Sequence, residues 1–280
     1  MKYIKTIGMI SNVGQGRGFL GPNACAFSSD GNMFVLNSGL NRVTVQTFEE
    51  KYLTEFATWY GDKPGDKKLN TPSDLEFDSN DHLYITDEVN NAVFIYDVEG
   101  SFIGQWGKYG NNEGEFSGPS GIAIDSKDNL YVVDQYNHRI QKFTKDGKYI
   151  TSYGKTGSGK GELVRPSDVV VDAKGMIYIS DWGNERVVVI NQNGEYISSE
   201  RGRSTLTTES TNEFFESNVD ERDSRSEANL IPDLPQHLQN PYHMSSQSEP
   251  LFWGITDLSI DNSGRLYVTE LRRHRCQVYE

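Results

Sequence analysis

The amino-acid sequence predicts an all-β fold of the β-propeller class, and three observations carry that prediction. A sequence unit recurs at a constant interval, its apolar residues alternate with polar ones, and turn-forming residues separate the alternating stretches. Alternation with a period of two over short segments bounded by turn residues is typical of half-buried strands. A four-stranded unit that recurs every 40 to 50 residues, roughly, is typical of a propeller blade.

The repeat is clearest in three copies that begin at Pro72, Pro119 and Pro166, with an offset of 47 residues each time. They align without gaps through their first turn and second strand. Two further copies begin at Pro22 and Ile255. We name the four strands of a unit a to d in chain order. The fourth strand is recognisable in most units. Because the repeat occurs five times, the sequence contains five clear blades.

Within a unit, strand a alternates apolar residues, as at Leu75 and Phe77, and strand b repeats the alternation at Leu83 and Ile85. A turn rich in Asp, Asn, Ser, Lys and Gly joins the two strands. Strand c follows a second polar turn, at Val93 in the same unit. Each unit is therefore predicted to be a small antiparallel sheet.

The repeat resembles the NHL repeat family. The resemblance rests on the P-x-G/D start of strand a, the h-Y-h-x-D end of strand b and the N-x-R-h sequence that opens strand c, where h is apolar. Residues 137–141 (NHRIQ) are the nearest copy of the last motif, and the resemblance covers about 230 of the 280 residues. It implies a propeller, usually of six blades. It does not specify a function.

The number of blades depends on residues 202–251, which do not read as a blade. Six units of 47 residues would account for the length of the chain, and the family resemblance also favours six, so a degenerate sixth blade is the favoured interpretation. The residue chemistry instead favours an acidic, partly helical insertion on five blades. Val219 and Ile231 are the segment's only β-branched apolar residues, and a capping-box pattern predicts a helix over about residues 211–229.

The sequence also predicts how the ring closes. The last unit ends at Glu280 without a fourth strand, and residues 2–8 (KYIKTIG) match residues 148–154 (KYITSYG), the fourth strand of an internal unit. We therefore expect residues 2–8 to form the outer strand of the final blade, which makes residues 1–280 one domain and removes an open sheet edge.

Composition narrows the classes of partner and compartment. The net charge of −13 disfavours nonspecific binding to nucleic acid. The two cysteines, Cys25 and Cys276, form no disulfide framework or metal motif, and we expect both to be buried core thiols. No signal peptide and no transmembrane segment are recognisable. A cytoplasmic location is the expectation.

A metal site is one hypothesis for the central channel. Asp74, Asp168 and Asp257 occupy the same register at the start of strand a in three units. Carboxylates converging from different blades would suit Ca²⁺ or Mg²⁺, in loose resemblance to the central metal of propeller lactonases. The alternative is that each Asp caps its own turn by accepting local backbone N–H groups.

A second set of polar residues ends strand b. Its members are Asn37, Asp87, Asp134, Asp181 and Glu270. Because the same type of group recurs in every blade, and an active site requires asymmetry, this set is predicted to be structural. We expect it to brace the following turn together with the Asn and Arg residues there.

The turns between strands b and c differ from blade to blade, so specificity is expected there. Tyr136 and Trp182 are predicted aromatic anchors. The remaining residues of this predicted partner face are Glu88, Gln135, Arg272, Arg273 and His274. The basic run from Arg272 would suit a carboxylate, a phosphate or an RNA strand, or would instead pair with the acidic segment 202–251.

These features favour a binding or scaffold module that presents one propeller face to a protein, a peptide or another partner. The first alternative is a metal-dependent hydrolase, lactonase or lyase, or a small-molecule binder, with its site at the central channel. The five histidines show no zinc-binding triplet, no catalytic residue is recognisable, and catalysis is not favoured. The second alternative is an RNA-binding NHL domain, which the acidity disfavours.

Overall fold

The computed structural model describes residues 19–57, 68–204 and 209–280, with the side chains of the last range described from residue 212. Within these residues the chain forms five antiparallel sheets, of which four have four strands and one has three. In every sheet the strands neighbour one another in chain order. The predicted β-propeller class is confirmed. The expected closing strand at residues 2–8 lies outside the described residues.

The strands follow the predicted repeat, and each sheet is one blade. Blade 1 contains β1 (Pro22–Phe27), β2 (Met33–Asn37), β3 (Arg42–Gln46) and β4 (Tyr52–Phe56). Blade 2 contains β5 (Pro72–Phe77), β6 (Leu83–Asp87), β7 (Ala92–Tyr96) and β8 (Phe102–Trp106). Blade 3 contains β9 (Pro119–Ile124), β10 (Leu130–Asp134), β11 (Arg139–Phe143) and β12 (Tyr149–Tyr153). Blade 4 contains β13 (Asp168–Val171), β14 (Ile177–Asp181), β15 (Arg186–Ile190) and β16 (Tyr196–Glu200). Blade 5 contains β17 (Ile255–Ile260), β18 (Leu266–Glu270) and β19 (Arg275–Tyr279).

The turn between strands a and b is fixed by the aspartate that directly follows strand a. In blade 3 the Oδ1 atom of Asp125 accepts the backbone N–H groups of Lys127 and Asn129 at 2.9 and 3.0 Å. Blades 2, 4 and 5 use the same type of turn at Asp78, Asp172 and Asp261. An Asp side chain that bonds the backbone two and four residues later replaces the hydrogen bonds that the strands no longer supply.

The core lies between the blades. Apolar side chains from facing sheets form four clusters, one at each junction from blades 1 and 2 to blades 4 and 5. Leu75 of blade 2, for example, packs with Leu36 and Val43 of blade 1. The innermost strands β1, β5, β9, β13 and β17 lie side by side in that order. Burial between blades therefore sets the spacing of the innermost strands.

The described residues form no such cluster between blade 5 and blade 1. Cys25 and Cys276, which face this junction, are exposed, and so are Phe27 and Val278. Leu75, which occupies in blade 2 the register position of Cys25, is 2% exposed. The expectation of buried thiols is wrong, because the sheet faces that carry these cysteines have no described blade packed against them.

Residues 201–254 connect blade 4 to blade 5 and contain α1 (Glu209–Ser217), α2 (Val219–Glu227) and α3 (Pro241–Gln247). The described part of this connection contains no strand. The helix expected over about residues 211–229 is divided into two at Asn218. The favoured interpretation of this segment as a degenerate blade is wrong for its described residues, which form no strand, and the partly helical insertion describes them. None of the described helices is long and apolar enough to cross a membrane.

Candidate binding face

The b–c turns and the connections between blades lie on one face of the propeller, because successive strands run in opposite directions. We call it the upper face. It includes the insertion of residues 201–254. The predicted partner residues Glu88, Tyr136, Trp182 and Arg272 all lie in b–c turns and so share this face. Gln135 belongs to the same turn as Tyr136, and its backbone N–H donates to the Gly118 carbonyl at 3.3 Å.

The b–c turns are tied to the following blade by side-chain hydrogen bonds. The last residue of each turn has a positive φ angle, and three of these residues reach across to the next connection. The acceptor atoms are Asn91 Oδ1, His138 Nδ1 and Glu185 Oε2. They accept the backbone N–H groups of Gly118 at 3.0 Å, Arg165 at 2.9 Å and Gly254 at 2.7 Å, respectively. These bonds hold the upper-face loops of blades 2 to 5 in fixed positions.

The acidic residues that end strand b have the predicted structural role. Asp134 accepts hydrogen bonds from Ser117 N at 2.7 Å, Arg139 Nε at 2.7 Å and Gln141 Nε2 at 2.9 Å. Asp181 and Glu270 accept from the arginine five residues later in the same way, at 2.8 and 2.6 Å. In the described residues of blade 1, Asn37 Nδ2 and Arg42 Nε are buried without a hydrogen-bond partner. Each carboxylate therefore braces the turn after it and the connection before it.

The three channel carboxylates lie near one another, and two of them each accept two backbone N–H groups. Asp74 accepts the N–H groups of Leu75 and Ile122, both at 2.8 Å. Asp168 accepts those of Val169 at 2.8 Å and Leu258 at 2.7 Å. One bond in each pair is local, as the capping alternative expected, and the other reaches the innermost strand of the next blade. Both carboxylates thus act as links between blades.

The electrostatics of this cluster follow from burial and crowding. Burial raises the pKa of Asp74 to about 8, and the nearby Glu76 and Asp257 carboxylates add to the effect. Burial also raises the pKa of Asp168, with Asp74 and Asp257 contributing through their charges. The described residues contain no group of three His, Cys, Asp or Glu side chains that could hold a metal ion. The hypothesis of a Ca²⁺ or Mg²⁺ site gains no support from this geometry.

Tyr136 and Trp182 flank an arginine that sequence reasoning missed. The guanidinium carbon of Arg165 lies 5.1 Å from the centre of the Tyr136 ring and 5.2 Å from the Trp182 ring. The Tyr136 hydroxyl donates to Glu88 Oε1 at 2.9 Å. Tyr136 also packs on Gly118, where any Cβ atom would collide with the ring. The predicted anchors are thus parts of one ordered stack.

A second stack lies beside the basic cluster. The guanidinium carbons of Arg272 and Arg273 lie 5.8 and 5.6 Å from the Trp253 ring centre, and Tyr242 of α3 packs edge-on against that ring at 6.1 Å. Because α3 also contacts the turn that contains Trp182, it connects the two stacks. We call the two stacks together the aromatic–arginine row. Its members are Glu88, Tyr136, Arg165, Trp182, Tyr242, Trp253, Arg272 and Arg273.

The basic cluster of residues 272–275 holds the end of the insertion mainly by donating hydrogen bonds to backbone carbonyl groups. Arg273 donates to Ser248 O at 3.0 Å, and Arg275 donates to Glu249 O at 2.8 Å and to Leu251 O at 3.0 Å. A cleft of about 390 Å³ remains between the insertion and blade 5, lined by Gln247, Glu249, Arg272, Arg273, His274 and Arg275. The expected pairing with the insertion is present, although carbonyl oxygens rather than acidic side chains accept these bonds.

A family model described as a 6-bladed beta-propeller, DUF5128, matches residues 66–142 and 126–221, which together span more than half of the chain. The chain belongs to this family. Its described residues supply five blades of the propeller, and the family match ends within α2, inside the insertion. No curated protein matches the chain in sequence.

Several solved structures are similar to this chain in fold. The virginiamycin B lyase of Staphylococcus aureus is 15% identical with a TM-score of 0.54, over 93% of this chain and 70% of that one. A gluconolactonase of Xanthomonas campestris is 14% identical with a TM-score of 0.54, over 88% and 68%. The hydrazine synthase of Kuenenia stuttgartiensis is 15% identical with a TM-score of 0.55, over 97% and 80%. At these identities the likeness concerns the fold alone.

Proposed function

We propose that this propeller is a binding module that presents its upper face to a protein or peptide partner. The observation that carries the proposal is the aromatic–arginine row, which joins b–c turns of blades 2 to 5 to the insertion. Tyr136 is 42% exposed in it, and Tyr242 is 44% exposed. Large aromatic side chains and arginines are the residue types that contribute most of the energy at protein interfaces.

The rigidity of the face supports this function. The hydrogen bonds from Asn91, His138 and Glu185 hold neighbouring loops together, so the aromatic rings need little ordering when a partner binds. Ordering side chains and loops on association costs affinity, and a face ordered in advance avoids that cost.

We also infer that the repeats are of the NHL type, as the resemblance of the sequence motifs suggests. We further infer that the module works in the cytoplasm, which is the location expected from the sequence.

The insertion enlarges the proposed interface. On α1 and α2, Phe214 is 51% and Val219 is 46% exposed, and both stand beside acidic residues. An ion pair between Arg225 and Glu249 joins α2 to the end of the insertion, and the bonds from Arg273 and Arg275 anchor that end to blade 5. An anchored segment with exposed apolar side chains extends a binding face rather than closing it.

Panning a phage-displayed library of random 12-residue peptides against the full chain tests the proposal. We expect enriched peptides that bind the native protein and lose binding to a Tyr136→Ala/Trp182→Ala variant. The matched control is Ile150→Ala/Ile197→Ala, which removes two exposed apolar side chains from the outer strands β12 and β16. Enriched peptides that bind all three proteins equally, or no enrichment, would overturn the proposal.

A second candidate function places a small-molecule site at the central channel. It is favoured by the raised pKa values of Asp74 and Asp168, since perturbed carboxylates are common in active sites. Two structural neighbours are a virginiamycin B lyase and a gluconolactonase. Calorimetric titration with Ca²⁺ or Mg²⁺ tests it, because a saturable signal that Asp257→Ala removes would favour it. The absence of heat with both metals, together with no hydrolysis of gluconolactone, would end it.

A further inference from the structure

The residue before the first residue of the repeat, which is Pro166 in blade 4, has a left-handed backbone in four of the five described blades. In three of them it is a glycine: Gly21, Gly118 and Gly254, with φ angles of 61°, 63° and 71°. In blade 4 it is Arg165, with φ of 49°. Glycine adopts this conformation without steric cost, whereas a residue with a Cβ atom is strained there. Blade 4 therefore accepts a strain that three other blades avoid.

The strained backbone of Arg165 accompanies a defined position of its guanidinium group. Arg165 is exposed on the upper face, and its guanidinium lies between the Tyr136 and Trp182 rings at 5.1 and 5.2 Å. Its backbone N–H is held by His138 Nδ1 at 2.9 Å. Cation–π contacts with both rings hold the guanidinium at this position. One of its N–H groups hydrogen-bonds the Tyr136 side chain, and a guanidinium has five N–H donors in the fork geometry that matches a carboxylate.

The charge of Arg165 is not neutralised within the described part of the chain. Eight other described arginines form ion pairs: Arg42, Arg139, Arg186, Arg203, Arg222, Arg225, Arg265 and Arg275. None of the ion pairs in the described ranges includes Arg165. In a protein with a net charge of −13, acidic partners are abundant, so an exposed arginine that pairs with none of them is available to a ligand.

We infer that Arg165 is a ligand-binding residue that recognises a carboxylate, namely an acidic side chain of a bound peptide. This inference rests on the proposed function and specifies the chemistry of its partner. A single guanidinium suits a single negative charge. The overall acidity of the chain disfavours a polyanion such as RNA.

A titration with N-acetylglutamate amide, followed through the Arg165 Nε–Hε signal in NMR spectra, tests the inference. Ionic strength is held constant with chloride, and N-acetylglutamine amide serves as the neutral counterpart. We expect a saturable shift with the glutamate compound alone. The Arg265 signal should not move, because that arginine is paired with Asp261 at the opposite face. An unmoved Arg165 signal, or equal shifts with both compounds, would overturn the inference.

The variant Arg165→Gly separates recognition from folding. Because glycine occupies this position in blades 1, 3 and 5, we expect the Tm to change by less than about 3 °C. Acid-containing peptides from the library should bind this variant roughly tenfold more weakly or worse. Arg265→Ala removes the same charge from the opposite face and should bind normally. Peptides that require Tyr136 and Trp182 but ignore Arg165→Gly would refute the carboxylate role and leave the proposed function intact.

Discussion

The Oδ2 atom of Asp74 in blade 2 accepts the backbone N–H of Ile122 in blade 3 at 2.8 Å, so one carboxylate joins the innermost strands of two blades. Asp168 repeats this relationship with Leu258, from blade 4 to blade 5, at 2.7 Å. Between these two junctions blade 3 carries Gly121, which donates its own N–H to the Ser167 carbonyl at 3.2 Å. The central channel of the propeller is therefore held by polar links as well as by apolar packing.

Removal of either linking carboxylate should destabilise the fold. We expect Asp74→Ala and Asp168→Ala each to lower the free energy of unfolding by about 1 to 3 kcal/mol, because each leaves buried N–H groups without an acceptor. Asp257→Ala is the matched control. It removes a carboxylate at the same register that is exposed, and the expected change is within about 0.5 kcal/mol. Urea unfolding measures all three, and equal losses at the three positions would contradict the distinction.

Stability should decrease as the pH rises from about 5 to about 8. Burial raises the pKa of Asp74 from 3.8 to about 8 and that of Glu185 from 4.5 to about 7, and the pKa of Asp168 also rises. These groups bind protons more tightly in the folded protein. The stabilisation is complete below their unfolded pKa values and is lost as the pH passes the folded ones. Thermal unfolding should therefore give a Tm several degrees lower at pH 8 than at pH 5.

Glu185→Gln provides the control for this pH dependence. The glutamine carbonyl can still accept the N–H of Gly254, which Glu185 Oε2 accepts at 2.7 Å, but it does not titrate. The variant should show a shallower decrease in Tm between about pH 5 and 7. A Tm that is flat or rising over this range in the native protein would show that the buried carboxyl groups do not hold their protons.

Blade 1 should gain stability from Asn37→Asp. In blades 3 to 5 an acidic residue at this position accepts the Nε–H of the arginine five residues later, whereas Asn37 Nδ2 and Arg42 Nε are both buried without a partner. The Asn37 Oδ1 atom already accepts the N–H of Leu20 at 2.7 Å, and an aspartate would keep that bond. We expect an increase of about 1 kcal/mol in the free energy of unfolding. The gain should disappear when Arg42→Leu is added, and a gain that survives this change would have another origin.

The outer edge of β19 should be covered by residues 2–8. Blade 5 has three strands in the described part of the chain, whereas the other four sheets have four, so β19 offers an unpaired edge. Ile4→Pro removes a backbone donor and should lower the Tm by several degrees if this segment is a strand. Ile4→Val keeps the backbone unchanged and should leave the Tm nearly unchanged. Equal Tm values for the two variants would refute the predicted closure.

The sequence predicted the parts of this propeller that depend on local pattern. The alternation at Leu75 and Phe77 and its repeat at the next units gave strands that begin at Pro72 and Pro119, as observed. The structural role of Asp134 was also predictable, because its partner Arg139 lies only five residues away. Contacts of this kind form within one blade, between residues close in sequence. The spacing of residues within the repeat therefore predicts them.

The candidate site was predicted only in part. Tyr136 and Trp182 were recognisable as departures from the repeat. Arg165 also departs from the repeat, since other units have Gly118 and Gly254 at its position. The departure is informative only once the structure shows that this position has a positive φ angle. The insertion was ambiguous, because chain length favoured a blade while composition favoured a helix.

The sequence by itself determined the blade, its four strands and the polar residues that brace each turn, because period and spacing act over a few residues. Only the tertiary structure decided the contacts between blades. It joined Asp74 to Ile122, placed Arg165 between two rings from different blades, and left Cys25 uncovered by any described blade. Such contacts depend on how many sheets pack around the axis and at what angle. That arrangement follows from the burial of whole sheet faces rather than from any local pattern.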